Sequence, residues 1–269
     1  MNRDVKLYFI STPIGNIKDI TLRSLEVLKV IDCLFVEDTR VTSKLLNYYN
    51  INKPLYIYNK DNEKEHLDKI IDLIQSGKIL GIASDAGTPV ISDPGNLLVK
   101  TLIKLNIPFE ILPGPTAFVL ALIYSGFDTS SFYFKGFLHN KKATRLNELD
   151  NLRQINGTIV VYESCHRIKK TIYDLFDFFN PPFFICRELT KLYEEHIYIN
   201  NKDEINNVTE KGEFIIVFEN YREMKYDEHS FIDITTKLKK ENFSKKDILT
   251  ILKIIGCKRN IAYNIIENI

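Results

Sequence analysis

One feature constrains this chain more than any other. Short, mainly apolar runs alternate with stretches of helical period. In the N-terminal half the runs fall at Val5–Ser11, Cys33–Val36, Leu55–Tyr58, Ile79–Ala83 and Phe109–Leu112. Runs apolar throughout belong to strands buried on both faces. The alternation therefore predicts a mainly parallel sheet with helices on either side. Between the runs, Leu98, Val99, Leu102, Ile103 and Leu105 share a helical spacing. Asn62 with Glu65 reads as a capping box that opens another helix.

After Gly126 the pattern restarts. Strand-like runs fall at Phe132–Phe137, Thr158–Tyr162, Phe183–Cys186, Glu195–Ile199 and Phe214–Glu219. Ile168, Ile172, Leu175, Phe176 and Phe179 share one helix face. Spacing is looser here, and an antiparallel relation between Glu195–Ile199 and Phe214–Glu219 is open. From Met224 the strand signal stops and lysines accumulate. Ser244 with Asp247 marks a helix start, and Gly256 a helix end. The expected organisation is an α/β domain over residues 1–127, a second over 128–222, and a basic helical tail over 223–269.

Composition excludes several classes. Apolar residues make up 45% of the 269, too many for a disordered chain. The longest apolar run, Ala117–Tyr124, is far short of the roughly 20 residues a membrane span needs. No signal segment opens the chain, so a soluble cytoplasmic protein is expected. Cys33, Cys165, Cys186 and Cys257 form no C-x-x-C pair and read as reduced thiols. The five histidines lack metal-ligand spacing, so no metal site is expected. Dinucleotide, P-loop and nucleophile-elbow fingerprints are missing as well.

In open α/β sheets, ligands sit beyond the carboxyl ends of the strands. The loops there have unusual composition. Ser11-Thr12-Pro13-Ile14-Gly15-Asn16 follows the first run. Ser84 to Gly95 holds two Gly, two Pro and two Asp in twelve residues, more than a connector needs. Asp93 there is either a ligand carboxylate or the N-cap of the next helix. Pro113-Gly114-Pro115-Thr116-Ala117 either approaches a ligand or simply starts a helix with Pro115 in its first turn. Charged clusters end three further runs, at Glu37–Arg40, Tyr162–Arg167 and Arg187–Lys191. One such cluster would read as a surface ion pair; three at strand ends favour a shared polar cleft.

These motifs together resemble the tetrapyrrole methylase superfamily, and within it the ribosomal RNA small-subunit methyltransferase I family. TPIGN (Thr12–Asn16), EDTR (Glu37–Arg40), SDAGTPVISDPG (Ser84–Gly95), PGP (Pro113–Pro115), YESCHR (Tyr162–Arg167) and RELTK (Arg187–Lys191) match in order and spacing. Ser11 departs from the family's usual proline and is expected to loosen the first loop slightly. The resemblance implies two α/β domains around an S-adenosylmethionine cleft, a homodimer, and 2′-O-methylation of a cytidine in small-subunit ribosomal RNA near the decoding centre. It implies cofactor contacts from Pro13, Ile14, Gly15, Ser84, Asp85, Ala86, Gly87, Thr88, Thr116, Ala117 and Glu163. Candidates for catalysis are Asp38, Glu163, His166, Glu188 and Lys191 as base or charge stabiliser. Arg40, Arg167 and Arg187 are better suited as anion clamps. A buried structural ion pair is the competing role for each.

Two other functions stand beside this one. A sister enzyme would methylate a tetrapyrrole or a protein. A ribosome-assembly protein would have kept the fold and lost the chemistry. Charge distribution favours RNA. The whole chain carries +1, yet Lys237 to Arg259 holds eight basic residues against Glu241 and Asp247. That segment is the footprint expected of phosphate contact.

Overall fold

The computed structural model describes residues 5–221 and 228–268. The expected tail boundary at 222/223, and Met224 with it, lies outside them. Residues up to Asn220 form one compact unit and those from Tyr221 another.

The first half runs β1 (Leu7–Ile10), α1 (Leu22–Val30), β2 (Cys33–Val36), α2 (Thr39–Tyr48), β3 (Leu55–Ile57), α3 (Glu63–Gln75), β4 (Leu80–Ala83), α4 (Asn96–Lys104), β5 (Phe109–Leu112) and α5 (Ala117–Tyr124). The strands form one sheet in the order β3-β2-β4-β1-β5. Every pairing is parallel. Alternate residues of each strand point to opposite faces. Tyr8, Ile10, Leu34 and Val36 therefore join Val27, Leu28, Leu45 and Leu46 on one face. Leu7, Phe9, Phe35 and Ile82 join Ile70, Leu98 and Leu102 on the other. Burial on both faces explains why the runs are apolar throughout. Because the strands are parallel, the loops after β1, β2, β4 and β5 gather at one edge.

Three local expectations change. The α4 stripe is narrower than its spacing implied: Leu98 and Leu102 are fully buried, whereas Ile103 and Leu105 are 61% and 49% exposed. Asn62 does precede α3, but its side chain makes no cap bond. Its Oδ1 accepts instead from Asn59 N–H at 2.8 Å, tightening the preceding turn. Helix α5 begins at Ala117 after Thr116, so Pro115 lies outside its first turn.

The second half runs β6 (Phe132–Phe137), α6 (Lys142–Leu152), β7 (Gly157–Ser164), α7 (Ile168–Leu175), β8 (Phe183–Arg187), β9 (Glu195–Ile199) and β10 (Glu213–Asn220). Sheet order is β6-β7-β10-β8-β9. β6 and β7 are parallel; β10 is antiparallel to both β7 and β8, and β8 to β9. The antiparallel relation between Glu195–Ile199 and Phe214–Glu219 does not occur. β8 separates the two, and two successive antiparallel pairings leave them running in the same direction. A 3-10 turn at Lys202–Asn207 lies on the connection between them. Ile168, Ile172, Leu175 and Phe179 pack under this sheet as their spacing predicts, with Phe176 at the margin.

Helix α5 is apolar all round, yet only part of it is covered: Ile123 and Tyr124 are 67% and 49% exposed. Its Ala121 and Leu122 pack with Val160, Cys186 and Val217 of the second sheet. The helix thus follows the first sheet in sequence and seals the second in space.

The C-terminal unit is a helical cluster of α8 (Glu228–Lys240), α9 (Lys245–Ile254) and α10 (Arg259–Asn268). Its core is Phe231, Ile248, Leu252, Cys257, Ala262, Ile265 and Ile266. Ser244 caps α9 by accepting from Asp247 N–H. Gly256, at φ 87°, ends it in the left-handed conformation. Lys239 donates to the Ile266 carbonyl at 2.8 Å, so one tail lysine is structural. Among the described residues no helix is long and apolar enough to cross a membrane.

Candidate active site

The loops at the first sheet's edge are bound to one another by backbone and hydroxyl groups. Thr12 and Gly87 exchange backbone hydrogen bonds at 2.9 and 3.1 Å. The Thr12 hydroxyl donates to the Ser84 carbonyl. Ser11, expected to loosen the first loop, is fully buried and does the opposite. Its hydroxyl donates to the Leu112 carbonyl at 2.8 Å, a cross-link that proline has no group to make. Gly114 lies so close to Ser11 that a Cβ there would come within 2.5 Å of the Ser11 Cβ. Thr88 and Thr116 share a hydrogen bond at 2.9 Å. Three motif loops therefore form one rigid surface. Val90 and Ser92, at φ 75° and 70°, hold a conformation that L-residues rarely adopt. Such strain persists only where the surroundings over-determine it.

This surface faces the second sheet across a cavity of about 510 Å³, within the range of small-molecule sites. Of the residues expected to contact the cofactor, Ile14, Asp85, Ala86, Gly87, Thr88, Thr116 and Ala117 line one side. Tyr162, Glu163, Cys165, His166, Cys186, Leu189, Phe214 and Ile215 line the other. Pro13, Gly15 and Ser84 are not among the residues lining the cavity. Gly15 abuts the β8–β9 loop, where a Cβ would meet Thr190, Lys191 and the Leu189 carbonyl at 2.5–2.7 Å. Asn16 N–H donates to Thr190 Oγ1 at 2.9 Å beside it. TPIGN is thus partly a docking motif for RELTK.

Two cavity carboxylates lay outside the expected cofactor set. Glu37 and Asp93 line the cavity beside Asp85. Burial, with Asp93 and Asp85 close by, pushes the Glu37 carboxyl up to about 7. Burial likewise pushes Asp93 up to about 6. Asp85 is raised by burial and by Asp38, although its Oδ1 accepts the Asp38 N–H at 3.0 Å. Asp93 is not an N-cap, because α4 is capped by Gly95. The signal for Glu37 was available in the sequence: it is the first charge after a fully buried strand.

The charged candidates on the far side are mostly paired. Glu163 is buried, and its carboxylate accepts from Arg167 at 2.6 Å, Ser164 N–H at 2.7 Å and Thr171 Oγ1 at 2.5 Å. Glu188 accepts from Lys191 and from Glu213 N–H, both at 2.9 Å. Lys191 also meets Glu213. Arg187 pairs with Glu195 at 3.0 Å. Asp38 caps α2 and grips Arg40, whose hydrogen bonds hold its carboxyl down at about 2. Arg40 is 87% exposed and lines no part of the cavity. His166 lines the cavity, is exposed, and makes no side-chain hydrogen bond among the described residues. No group of three or more residues able to hold a metal occurs among the described residues.

A two-sheet unit with a cleft between strand-end loops defines a class. Residues 6–229 match the family described as Tetrapyrrole (Corrin/Porphyrin) Methylases. Solved structures share the fold: diphthine synthase, at 14% identity and TM-score 0.64, covers 79% of this chain and 89% of its own. A uroporphyrin-III C-methyl transferase from Thermus thermophilus, complexed with S-adenyl homocysteine, has 16% identity and TM-score 0.55, covering 80% and 98%. Sequence relatives are closer. Ribosomal RNA small subunit methyltransferase I of Mycoplasmopsis pulmonis is 45% identical over 218 residues, 79% of this chain and 97% of its own. The Bacillus subtilis protein of the same name is 38% identical over 246 residues, covering 89% and 84%. The chain belongs to the ribosomal RNA small subunit methyltransferase I family of the tetrapyrrole methylases.

Proposed function

We propose that this chain transfers a methyl group from S-adenosylmethionine to the ribose 2′-oxygen of a cytidine in small-subunit ribosomal RNA, near the decoding centre. One observation supports it above the others: the cavity combines apolar walls with carboxylates that form no direct ion pair among the described residues. Glu37, Asp85 and Asp93 complement a ligand carrying ammonium and sulfonium charges. Ile14, Ala117, Leu189 and Ile215 suit an adenine ring. Thr88 and Thr116 supply hydroxyls between them. The sulfonium, when bound, supplies an electrophilic methyl that needs no metal.

The remaining work is alignment and proton removal. Placing the 2′-oxygen behind the methyl carbon contributes up to roughly 7–11 kcal/mol in ideal cases. Of the candidate bases, Asp38 is tied to Arg40, Glu163 to Arg167 and Thr171, and Glu188 to Lys191. His166 stands at the cavity with no side-chain hydrogen bond among the described residues, and takes the 2′-hydroxyl proton. Glu163 holds Arg167 in place beside it. The exposed lysines of the C-terminal unit add sequence-independent phosphate contact. A homodimer is part of the same reading, supported by exposed apolar side chains on α5, Ile123 at 67% and Tyr124 at 49%.

The test is transfer of labelled methyl to small ribosomal subunits lacking the modification. Label should appear as 2′-O-methylcytidine. His166→Ala should lower kcat by roughly 10²–10⁴-fold with cofactor affinity unchanged. Label on a tetrapyrrole or a protein, with none on RNA, would overturn the substrate assignment. An unchanged kcat in His166→Ala would remove the base.

A further inference from the structure

The cavity mouth on the second sheet carries a feature that the methyl-donor pocket does not require. Phe137 ends β6, lines the cavity, and is nonetheless 53% exposed. It is aimed there deliberately by the backbone. The β6–β7 register shifts between Phe134 and Gly136, leaving Lys135 as an extra residue. A bulge of this kind re-aims the side chains that follow it. Gly136 sits at φ 75°, a conformation that disfavours any side chain. Tyr162 backs the Phe137 ring at 5.4 Å, leaving part of the ring open.

Directly after Phe137 comes an exposed cationic loop. His139, Lys141 and Lys142 are all exposed. The loop is held in shape from behind. Arg167 donates to the Leu138 carbonyl and to Asn140 Oδ1, and His139 N–H donates to Glu148. Among the described residues no carboxylate pairs with Lys141 or Lys142. These two lysines occupy the N-cap and first position of α6, which has no acidic residue in its first turn. Cations there oppose the helix dipole, whose N-terminal end favours anions. An external anion relieves that conflict. Conflicts of this kind between local rule and fold concentrate at functional sites.

We infer that Phe137 is the platform on which a nucleobase of the substrate RNA stacks, and that Lys141 and Lys142 grip its adjoining phosphates. This rests on the proposed RNA substrate. Base stacking on an aromatic side chain is the usual means of holding an unpaired nucleotide. It would hold the ribose over the methyl donor while the carboxylates of the first sheet face the donor itself. An acidic floor and a basic rim thus separate two ligands of opposite charge.

The experiment uses the full chain with small subunits lacking the modification. Both binding, with S-adenosylhomocysteine present, and steady-state methylation are read. Phe137→Leu should lower kcat/KM and subunit affinity about 10- to 100-fold. Phe137→Trp should restore both to within about threefold, since stacking needs only an aromatic face. Affinity for S-adenosylhomocysteine alone, by calorimetry, should stay within about twofold for both. Lys141→Ala with Lys142→Ala should reduce the slope of log affinity against log salt by about 1.4, at about 0.7 per single-strand phosphate contact. Unchanged subunit binding in Phe137→Leu, or an unchanged salt slope in the lysine variant, overturns the assignment. Equal loss of S-adenosylhomocysteine affinity would overturn it too, by making the ring a cofactor wall. A wild-type chain that binds subunits but moves no methyl would defeat the proposed activity and leave the binding comparison readable.

Discussion

The strand-end loops of the two sheets treat charge in opposite ways. Those of the first sheet hold one another through Ser11, Thr12, Gly87 and Thr88, confine their ion pairing among the described residues to Asp38 with the exposed Arg40, and leave Glu37, Asp85 and Asp93 facing the cavity. Those of the second sheet knit their charges together, as Glu163 with Arg167, Arg187 with Glu195, and Glu188 with Lys191. A buried charge that finds its partner inside the fold is scaffold. A half-buried charge left without one, as at Glu37, Asp85 and Asp93, is less favourable until something arrives to meet it. The difference separates ligand groups from framework groups that look alike in sequence.

Removing scaffold should cost the most. Glu163→Ala strands Arg167 and Thr171, and should destabilise the chain by roughly 3–5 kcal/mol in denaturant unfolding. A loss below about 1 kcal/mol would place Glu163 with the ligand groups instead. Asp85→Asn removes charge from the first sheet while keeping an acceptor for the Asp38 N–H. It should weaken S-adenosylmethionine binding about 10- to 100-fold, the worth of one charged hydrogen bond, and leave unfolding stability unchanged or improved. Unchanged affinity by calorimetry would move the donor site elsewhere. The subtlest effect is on pH. Glu37 and Asp93 have folded-state pKa values raised to about 7 and about 6. The folded chain therefore binds more protons than the unfolded one, and stability is lost as pH rises from about 4 through about 7. Melting temperature of the ligand-free protein should fall from pH 5 to pH 8. Glu37→Gln should flatten that fall, and an identical slope in the variant would refute the assignment.

The sheets were legible because burial leaves a period in the sequence. All ten strands among the described residues lie where apolar runs stand, from Leu7 to Asn220. Strand order was not legible. That β10 slips between β7 and β8 is a long-range outcome, and it is what carries Glu213, Phe214 and Ile215 to the cavity. The motif loops were legible as a group, but not the role of each member. Asp38 and Glu37 are adjacent in sequence, yet one caps a helix in solvent and the other lies in the cavity. Ser11 looked like a loosened position because proline's stiffness is visible in a sequence and a buried hydroxyl's partner is not.

Helix α5 has a consequence for synthesis. Its residues, 117–124, leave the ribosome before the strands of the second sheet that cover them, the last of which ends at Asn220. At 5–20 residues per second, its apolar surface waits roughly 5–20 s for that cover. During that interval the nascent chain presents its most hydrophobic segment to whatever is nearby, and Ala121 and Leu122, later buried against the second sheet, are residues a chaperone would hold.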